Sequence, residues 1–359
     1  MVGVPFALSE CDPGGFADQL VAWGYKPSHA ARVLRAYYQG EFADEDEGQE
    51  ARLPEGLRDR LRAEFSGSAA SLAYRQVAED GTTKLLLRLR DGRTVETVLM
   101  PDYRPDRAAG CLSSQVGCAM GCDFCATTRT GWERNLTAGE MVEQYLALRQ
   151  EARDLDRKLQ TVVFMGMGEP LLNLEAVIEA IRRIGDNRMG ALGWRQITIS
   201  TVGIVPGMEA LTASDLNVQL AISLHAPDDF TRAQLIPAGR RYLVAEILAA
   251  ADRYQARRGR PVIVQYCLLA GVNDTEEQAE RLAAVIGTRR MHVNLLRYNA
   301  TGLSLQGRDY RPTSDEASEA FAAVLKRRGV VAHFRRSRGR DIDAACGQLR
   351  EREGRAKAT

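Results

Sequence analysis

Three cysteines stand close together in the run Cys118-Ala-Met-Gly-Cys122-Asp-Phe-Cys125. Three thiolates at this spacing can hold three irons of a [4Fe-4S] cluster and leave the fourth iron open to a small molecule. A structural zinc ion would need four protein ligands, and Cys111 could be the fourth. The spacing favours the cluster and leaves zinc as the alternative.

A glycine-rich turn follows the next apolar run of the chain. The segment TVVFM is succeeded by Gly166-Met167-Gly168-Glu169-Pro170, where a backbone edge and a carboxylate could receive an amino group. Taken alone, such a turn is an ordinary connection. Placed after three thiols, it favours radical S-adenosylmethionine (SAM) chemistry, in which the amine and carboxylate of SAM bind the open iron and an electron cleaves the sulfonium.

The elements expected before these motifs are helices followed by a hairpin. Apolar residues three and four apart predict helices in FADQLVAWG, HAARVLRAYYQG and LPEGLRDRLRAEF, so we expect a small helical domain over residues 1–68. The run TKLLLRLRDGRTVETVLMP predicts a hairpin that turns at Asp91-Gly92 within a linker over residues 69–107. Glu96 lies on its second strand.

From about residue 108 the sequence alternates strands and helices. Apolar runs such as QITISTVG and VQLAISLHA, with the segment before Cys118, give about six strands. The fold class predicted is α/β, a partial (β/α)6 TIM-like barrel over residues 108–350 with a tail at 351–359. Ligands of such sheets lie at the carboxyl ends of the strands. Capping boxes predict helix starts at three pairs: Thr137 with Glu140, Asp274 with Glu277, and Thr313 with Glu316.

Composition limits the class of protein. The chain has 359 residues and a formal net charge of +1, which conceals an acidic run at residues 44–47 and a basic stretch at residues 333–340. Net charge therefore neither supports nor excludes a nucleic-acid partner. No export signal or long apolar stretch is evident. Four of the seven cysteines fall within fifteen residues, which indicates metal binding or catalysis rather than a disulfide framework, so we expect a cytoplasmic protein that is not bound to a membrane.

Several segments together resemble the RlmN/Cfr family of radical SAM RNA (adenine) methyltransferases. They are CLSSQVGCAMGCDFCAT, FMGMGEPLLN, ISTVGIVP, AISLHAP, HVNLLRYN and DIDAACGQL, and the resemblance spans about Lys84 to Arg350. GEPLLN is similar to the RlmN type, which we favour, whereas RYN at 297–299 is similar to the Cfr type. The chain departs from the usual family pattern at Gly239, where Asn is usual, and at Ala300, where Pro is usual.

The resemblance implies a role for each matching residue. Cys118, Cys122 and Cys125 would hold the [4Fe-4S] cluster. The SAM pocket would be lined by Gly168, Glu169, Ser200, Ser223, Leu224, His225 and Asn299. Cys346 would carry the methyl group, Glu96 would accept the substrate proton, and Cys111 would form a transient disulfide with Cys346. Without the family match, an isolated cysteine such as Cys346 is better explained as a buried structural thiol.

The implied reaction is methylation of adenine carbon 2 in 23S ribosomal RNA, with tRNA as a further candidate substrate, at a cost of two SAM molecules per turnover. Methylation of carbon 8, as in Cfr, is the alternative within the family. A non-enzymatic Fe-S or zinc RNA-binding protein is the alternative from another class. We expect RNA contacts from the basic stretch and the N-terminal helices, an electron donor such as flavodoxin, and a monomer.

Overall fold

The computed structural model of the protein describes residues 7–40, 53–65 and 68–349. The acidic run at 44–47 and the expected tail at 351–359 lie outside these ranges. The helices are α1 (Pro13–Ala22), α2 (Ser28–Gln39), α3 (Glu55–Glu64), α4 (Ala138–Asp154), α5 (Leu174–Gly185), α6 (Val205–Ala213), α7 (Asp229–Leu235), α8 (Val244–Arg258), α9 (Glu276–Ile286) and α10 (Asp315–Arg327). The strands are β1 (Ala70–Val77), β2 (Thr83–Leu89), β3 (Thr94–Pro101), β4 (Arg107–Leu112), β5 (Gln115–Gly117), β6 (Trp132–Asn135), β7 (Lys158–Phe164), β8 (Ile197–Thr201), β9 (Gln219–Ser223), β10 (Val262–Leu268), β11 (Met291–Arg297) and β12 (Val331–Arg335).

The first three helices form where the apolar spacing predicts them. Phe16 of α1 and Trp23 at its end both make edge-to-face ring contacts with Phe65, which follows α3. Such contacts bury large apolar area between helices that are too short to be stable alone. The boundary of a separate domain near residue 68 stays a prediction.

The N-terminal region is anchored on the two helices that follow the predicted site loops. The carboxylate of Glu10 accepts hydrogen bonds from the Thr137 hydroxyl and the Gly139 amide at the start of α4. On α5, Arg183 donates to the carbonyl of Ser9 at 2.6 Å. A carboxylate at a helix N-terminus accepts from free N–H groups and is attracted to the positive end of the helix dipole. Together, the contacts of Glu10 and Arg183 hold the N-terminal region against α4 and α5.

The expected hairpin is present, and an additional strand precedes it. β2 and β3 pair antiparallel around Gly92, which adopts a left-handed φ of +85°. The sequence did not predict β1, which pairs antiparallel with β2 and forms one edge of the sheet. Antiparallel pairing of β3 with β4 joins this meander to the parallel strands, so Glu96 and Cys111 lie on neighbouring strands.

Seven strands run parallel in one open sheet. The order of the ten-stranded sheet is β1-β2-β3-β4-β7-β8-β9-β10-β11-β12, and every pair from β4 onward is parallel. The predicted class of a partial α/β barrel is confirmed, with β12 as one strand more than the six expected. β5 and β6 form a separate two-stranded pair beside the sheet. All the carboxyl ends of the parallel strands therefore face one side, where the motifs meet.

One of the three predicted capping boxes is present at the start of its helix. The Thr137 capping box is present, because its side chain accepts from the Glu140 N–H and Glu140 accepts from the Thr137 N–H. The other two predicted caps are wrong by one residue. Thr275 caps α9 and Ser314 caps α10. Adjacent Asp-Thr and Thr-Ser pairs offer two capping side chains each, so the sequence does not choose between them.

None of the helices in the described part of the chain combines the length and the apolar composition that crossing a membrane requires.

Candidate active site

The three-cysteine loop connects β5 to a short 3-10 helix at Ala126–Thr130 and lines a deep cavity at the carboxyl ends of the strands. Cys118, Cys122 and Cys125 all face this cavity. The loop is fixed by hydrogen bonds from the Cys118 N–H to Gly131 O at 2.8 Å and from the Cys125 N–H to Cys122 O at 3.0 Å. The three thiols are thus held on one wall.

Burial dominates the electrostatics of these thiols. It raises the pKa of Cys118 to about 12, and burial followed by the neighbouring thiols raises the pKa of Cys122 well above its usual value. Metal ligation needs thiolates, so positive metal charge must offset this burial. Across the described residues, no three His, Cys, Asp or Glu side chains converge on the position of a single metal ion. In a [4Fe-4S] cluster each thiolate binds a different iron, so the three thiols need not converge on one point. Cys111, the fourth ligand of the zinc alternative, lines a different cavity.

The glycine turn follows β7 and lines the same cavity. Gly168 adopts a left-handed φ of +98°, and a Cβ there would lie 2.6 Å from Gln115 Cβ. Glu169 is buried, and its two carboxylate oxygens accept from the Leu171 N–H at 3.0 Å and the Val202 N–H at 2.8 Å. Burial raises the pKa of Glu169 to about 7. A cationic amino group in the cavity would favour the charged carboxylate.

Three other predicted residues lie on the same cavity from successive strands. Ser200 is on β8, Ser223 ends β9, and His225 follows β9 with a φ of +59°. The His225 Nδ1 accepts from the Cys267 N–H at 2.9 Å, so the proton of the neutral ring is on Nε2. Burial, and then the charge of Arg232, lowers the pKa of His225 to about 3. His225 is therefore a neutral donor.

Asn299 and Leu224 differ in their placement. Asn299 follows β11, lines the cavity, and donates from Nδ2 to Cys346 O at 3.3 Å, while its buried Oδ1 has no partner. The Leu224 side chain is fully buried in the core and does not line the cavity, and its N–H is bonded to Gln265 O at 3.1 Å. Of the predicted SAM residues, Leu224 is the one that the structure does not bring to the cavity wall.

Gln265 is a lining residue that the sequence prediction missed. It lies on β10, is 4% exposed, and both its side-chain nitrogen and oxygen are buried without a partner. Leaving an amide unsatisfied costs about 1–3 kcal/mol, so such a group indicates a polar ligand. The signal was available, because Gln265 interrupts the apolar run PVIVQYCLLA.

A second cavity adjoins the first and contains the other two predicted cysteines. Cys111 at the end of β4 and Cys346 both line it, and the two cavities share Met165, Leu296, Asn299, Arg335 and Cys346. Cys346 is exposed, whereas burial, and then the charge of Cys346, raises the pKa of Cys111 to about 12. Both cysteines are free thiols in this structure.

The C-terminal loop that carries Cys346 is fixed on both sides of the cysteine. The Gln348 side chain donates to Ala300 O at 3.1 Å and accepts from the Ala345 N–H at 3.2 Å. The carbonyl of Gly347 accepts from the Ala126 N–H at 2.7 Å, directly after the cysteine loop. Cys346 is therefore placed where the two cavities meet.

Glu96 lies on the face of β3 that also presents Val98 and Met100, both of which line the second cavity. Its carboxylate is 2% exposed and forms an ion pair with Lys84 Nζ at 3.1 Å. The same Nζ donates to Asp343 O at 3.4 Å, three residues before Cys346. Lys84 was not predicted as a site residue, and it links Glu96 to the Cys346 loop.

The rim of the second cavity is basic and aromatic. Arg335, Arg336 and Arg338 line it, and the guanidinium groups of the last two lie 5.8 Å from the ring centre of Tyr103. Tyr103 is 75% exposed. Arginine beside an exposed aromatic ring suits phosphate contacts and base stacking.

A parallel α/β sheet with three thiols after its first strand and a glycine turn after its second defines a radical SAM protein. A profile of the radical SAM superfamily matches residues 112–283. The chain is 68% identical, over 97% of its length and 98% of the relative's, to an Opitutus terrae protein named probable dual-specificity RNA methyltransferase RlmN 1. It is 41% identical to the Rhodopirellula baltica protein of the corresponding name, over 95% of this chain and 91% of that protein.

The fold has a close counterpart among solved structures. The crystal structure of a radical SAM methyltransferase from Sphaerobacter thermophilus aligns with a TM-score of 0.90 and 40% identity, over 96% of this chain and 99% of that one. The chain belongs to the RlmN/Cfr family of radical SAM RNA methyltransferases, as the sequence motifs predicted.

Proposed function

We propose that this protein methylates carbon 2 of an adenine in 23S ribosomal RNA, with tRNA as a second substrate. The observation that carries the proposal is the position of Cys346 between two cavities. One cavity holds the three thiols and the glycine turn, and the other holds Cys111 and the basic rim. The name of the relatives, dual-specificity RNA methyltransferase, supports an RNA substrate.

The lining residues fit the two cofactors that the family implies. Cys118, Cys122 and Cys125 would hold a [4Fe-4S] cluster. Gly168, whose missing Cβ leaves a bare backbone, and buried Glu169 suit the amino group of SAM, with the unpartnered amide of Gln265 and the unpartnered Oδ1 of Asn299 nearby. Ser200, Ser223 and His225 complete the set, and Leu224 contributes packing behind it. When bound, the cluster and SAM supply a carbon radical that can abstract a hydrogen atom from a methyl group.

In this proposal the chain's own residues carry the methyl group and move the protons. The Cys346 sulfur would take a methyl group from one SAM, and the radical supplied by a second SAM would remove a hydrogen atom from it. The methyl carbon would then bond to the adenine ring, which gives up one electron to the cluster along with its proton, so each turnover uses two SAM molecules. Glu96 takes the ring proton, and its carboxylate is kept close to the Cys346 loop by Lys84. The Cys111 thiolate then attacks the Cys346 sulfur, the bond between that sulfur and the adenine-bound carbon breaks, and this carbon takes up a proton to become the methyl group of the product.

After the methylated base is released, Cys111 and Cys346 must be reduced before the next turnover. Release leaves a disulfide between Cys111 and Cys346, in which both sulfurs are oxidised relative to the free thiols. Two electrons from a donor such as flavodoxin would restore them. The donor, and the monomeric state, stay predictions.

The decisive experiment is anaerobic incubation of cluster-reconstituted protein with protein-free ribosomal RNA, SAM and a reductant. The digested nucleosides are then compared by mass spectrometry with 2-methyladenosine and 8-methyladenosine. The proposal expects 2-methyladenosine, its loss in Cys346→Ala, and its retention in the control Cys11→Ala, which changes a cysteine outside both cavities.

Other outcomes lead to the alternatives. Formation of 8-methyladenosine would move the protein to the Cfr type, which the RYN segment at 297–299 resembles. Failure to form 5′-deoxyadenosine from SAM would indicate a non-enzymatic Fe-S or zinc RNA-binding protein. Cleavage of SAM without methylated adenosine would retain the radical machinery and refute the RNA substrate tested.

A further inference from the structure

Arg232 on α7 is the largest fully buried side chain among the described residues, at 1% exposure. Its Nη1 donates to Gly239 O at 3.2 Å and its Nη2 donates to Val202 O, while its Nε has no partner. All of its bonded acceptors are neutral carbonyls. The nearby acid Asp229 accepts from the Val244 N–H at 2.7 Å, and within the described ranges no carboxylate forms an ion pair with Arg232.

A cation buried without an ion-pair partner is costly, even when an acid such as Asp229 lies near enough to act on it through its charge. Its effective desolvation penalty amounts to several kcal/mol, and neutral carbonyls offset only part of it. Such groups persist where an anionic partner occupies the neighbouring space. The position of Arg232 therefore indicates what that partner is.

Arg232 lies behind the wall of the first cavity, next to the cysteine loop. The end of α7 is bonded to that loop, because the Asp123 N–H donates to Leu235 O at 2.9 Å. The segment after α7 contacts the same loop, because the Ala238 N–H donates to Met120 O at 3.4 Å, and the positive charge of Arg232 lowers the pKa of the Cys122 thiol against the larger effect of burial. Its other contact, Val202, lines the cavity.

The guanidinium is held rigidly in this place. An added Cβ at Gly239 would lie 2.3 Å from Nη1, so the head group occupies the space that a side chain at 239 would need. A fixed charge whose carbonyl partners are already oriented needs little reorganisation when the charge beside it changes.

We propose that Arg232 is the buried counter-charge of the iron-sulfur cluster and stabilises its reduced state. This inference rests on the proposed cluster at the three loop cysteines. Three thiolates give the oxidised cluster a net negative charge, and reduction by one electron from the external donor increases it. Arg232 forms no bond to the cluster. Its positive charge favours the more negative state and so raises the reduction potential.

The test uses full-length protein with reconstituted cluster and measures the reduction potential by electron paramagnetic resonance during an anaerobic redox titration without SAM. Arg232→Gln should lower the reduced-to-oxidised ratio at the wild-type midpoint by about tenfold, which is about 59 mV for one electron. Arg232→Lys should restore most of the loss, because it keeps the charge. Arg183→Gln, which changes another buried arginine that instead pairs with Glu179, should leave the potential unchanged.

An unchanged potential in Arg232→Gln would overturn the inference and leave Arg232 as a structural link between carbonyls. If the neutral variants do not retain a cluster for the redox titration, cluster loss on addition of a chelator is compared between the variants instead. The inference expects Arg232→Lys to keep the cluster where Arg232→Gln and Arg232→Met lose it, with all three apoproteins folded by circular dichroism. Unfolded neutral apoproteins would overturn it. A wild-type protein that binds no [4Fe-4S] cluster would instead refute the proposed function.

Discussion

Substitution of Gly168 by alanine tests whether the turn after β7 has room only for glycine. The backbone there has φ +98°, a conformation that costs an L-residue about 1–3 kcal/mol. The new Cβ would also lie 2.6 Å from Gln115 Cβ and 2.8 Å from Gln115 N. Overpacking of this kind costs a further 1–3 kcal/mol, roughly. We therefore expect Gly168→Ala to lower the free energy of unfolding by about 2–6 kcal/mol.

Gln115 cannot move aside without further loss. Its Oε1 accepts from the Glu169 N–H and its Nε2 donates to Asn135 Oδ1, each at 2.8 Å. Urea unfolding of the apoprotein measures the change. The matched control is Gly92→Ala, where φ is +85° and no atom lies within 4 Å of the added Cβ, so only the backbone strain remains. Equal losses in the two variants would refute the argument that Gly168 is enclosed by Gln115.

Three other changes have expected outcomes. The pKa of Glu169 is about 7 in the folded state against 4.5 for a free glutamate, so the folded apoprotein binds that proton more tightly. Its stability should therefore fall as the pH rises between these values and then level off. Glu169→Gln should flatten that slope in urea titrations at several pH values. Lys84→Met removes the ion-pair partner of Glu96 and should destabilise the protein by about 3–5 kcal/mol, while Lys84→Arg should not; equal stability of the two variants would show that the pair contributes nothing. Arg336→Gln and Arg338→Gln should each weaken RNA binding in filter assays and reduce the slope of log affinity against log salt by about 1; an unchanged slope would exclude a phosphate contact.

The parallel core could be predicted because its signals are local and repeated. Apolar runs that end in Gly or polar residues mark β7 to β11. β1 and β12 were missed for the opposite reason. Both are edge strands with mostly exposed residues, so neither shows an apolar run, and the basic residues of β12 direct attention to charge.

The site was predictable where chemistry is tied to a motif, and less so where it depends on packing. The three cysteines and Glu169 line one cavity, as their positions at strand ends suggested. Lys84 and Arg232 gave no such signal, because a lysine in a hairpin and an arginine in a short helix are ordinary surface residues by type. Only the fold places one beside Glu96 and the other behind the cysteine loop.

The close approach of Arg232 to Gly239 has a consequence for how this sequence can drift. Position 239 cannot gain a side chain here unless the guanidinium moves first, and an arginine that has moved no longer needs a glycine opposite it. The two positions should therefore change together or not at all. A variant that alters only residue 239 should therefore be destabilised, even though Gly239 lines neither of the two cavities.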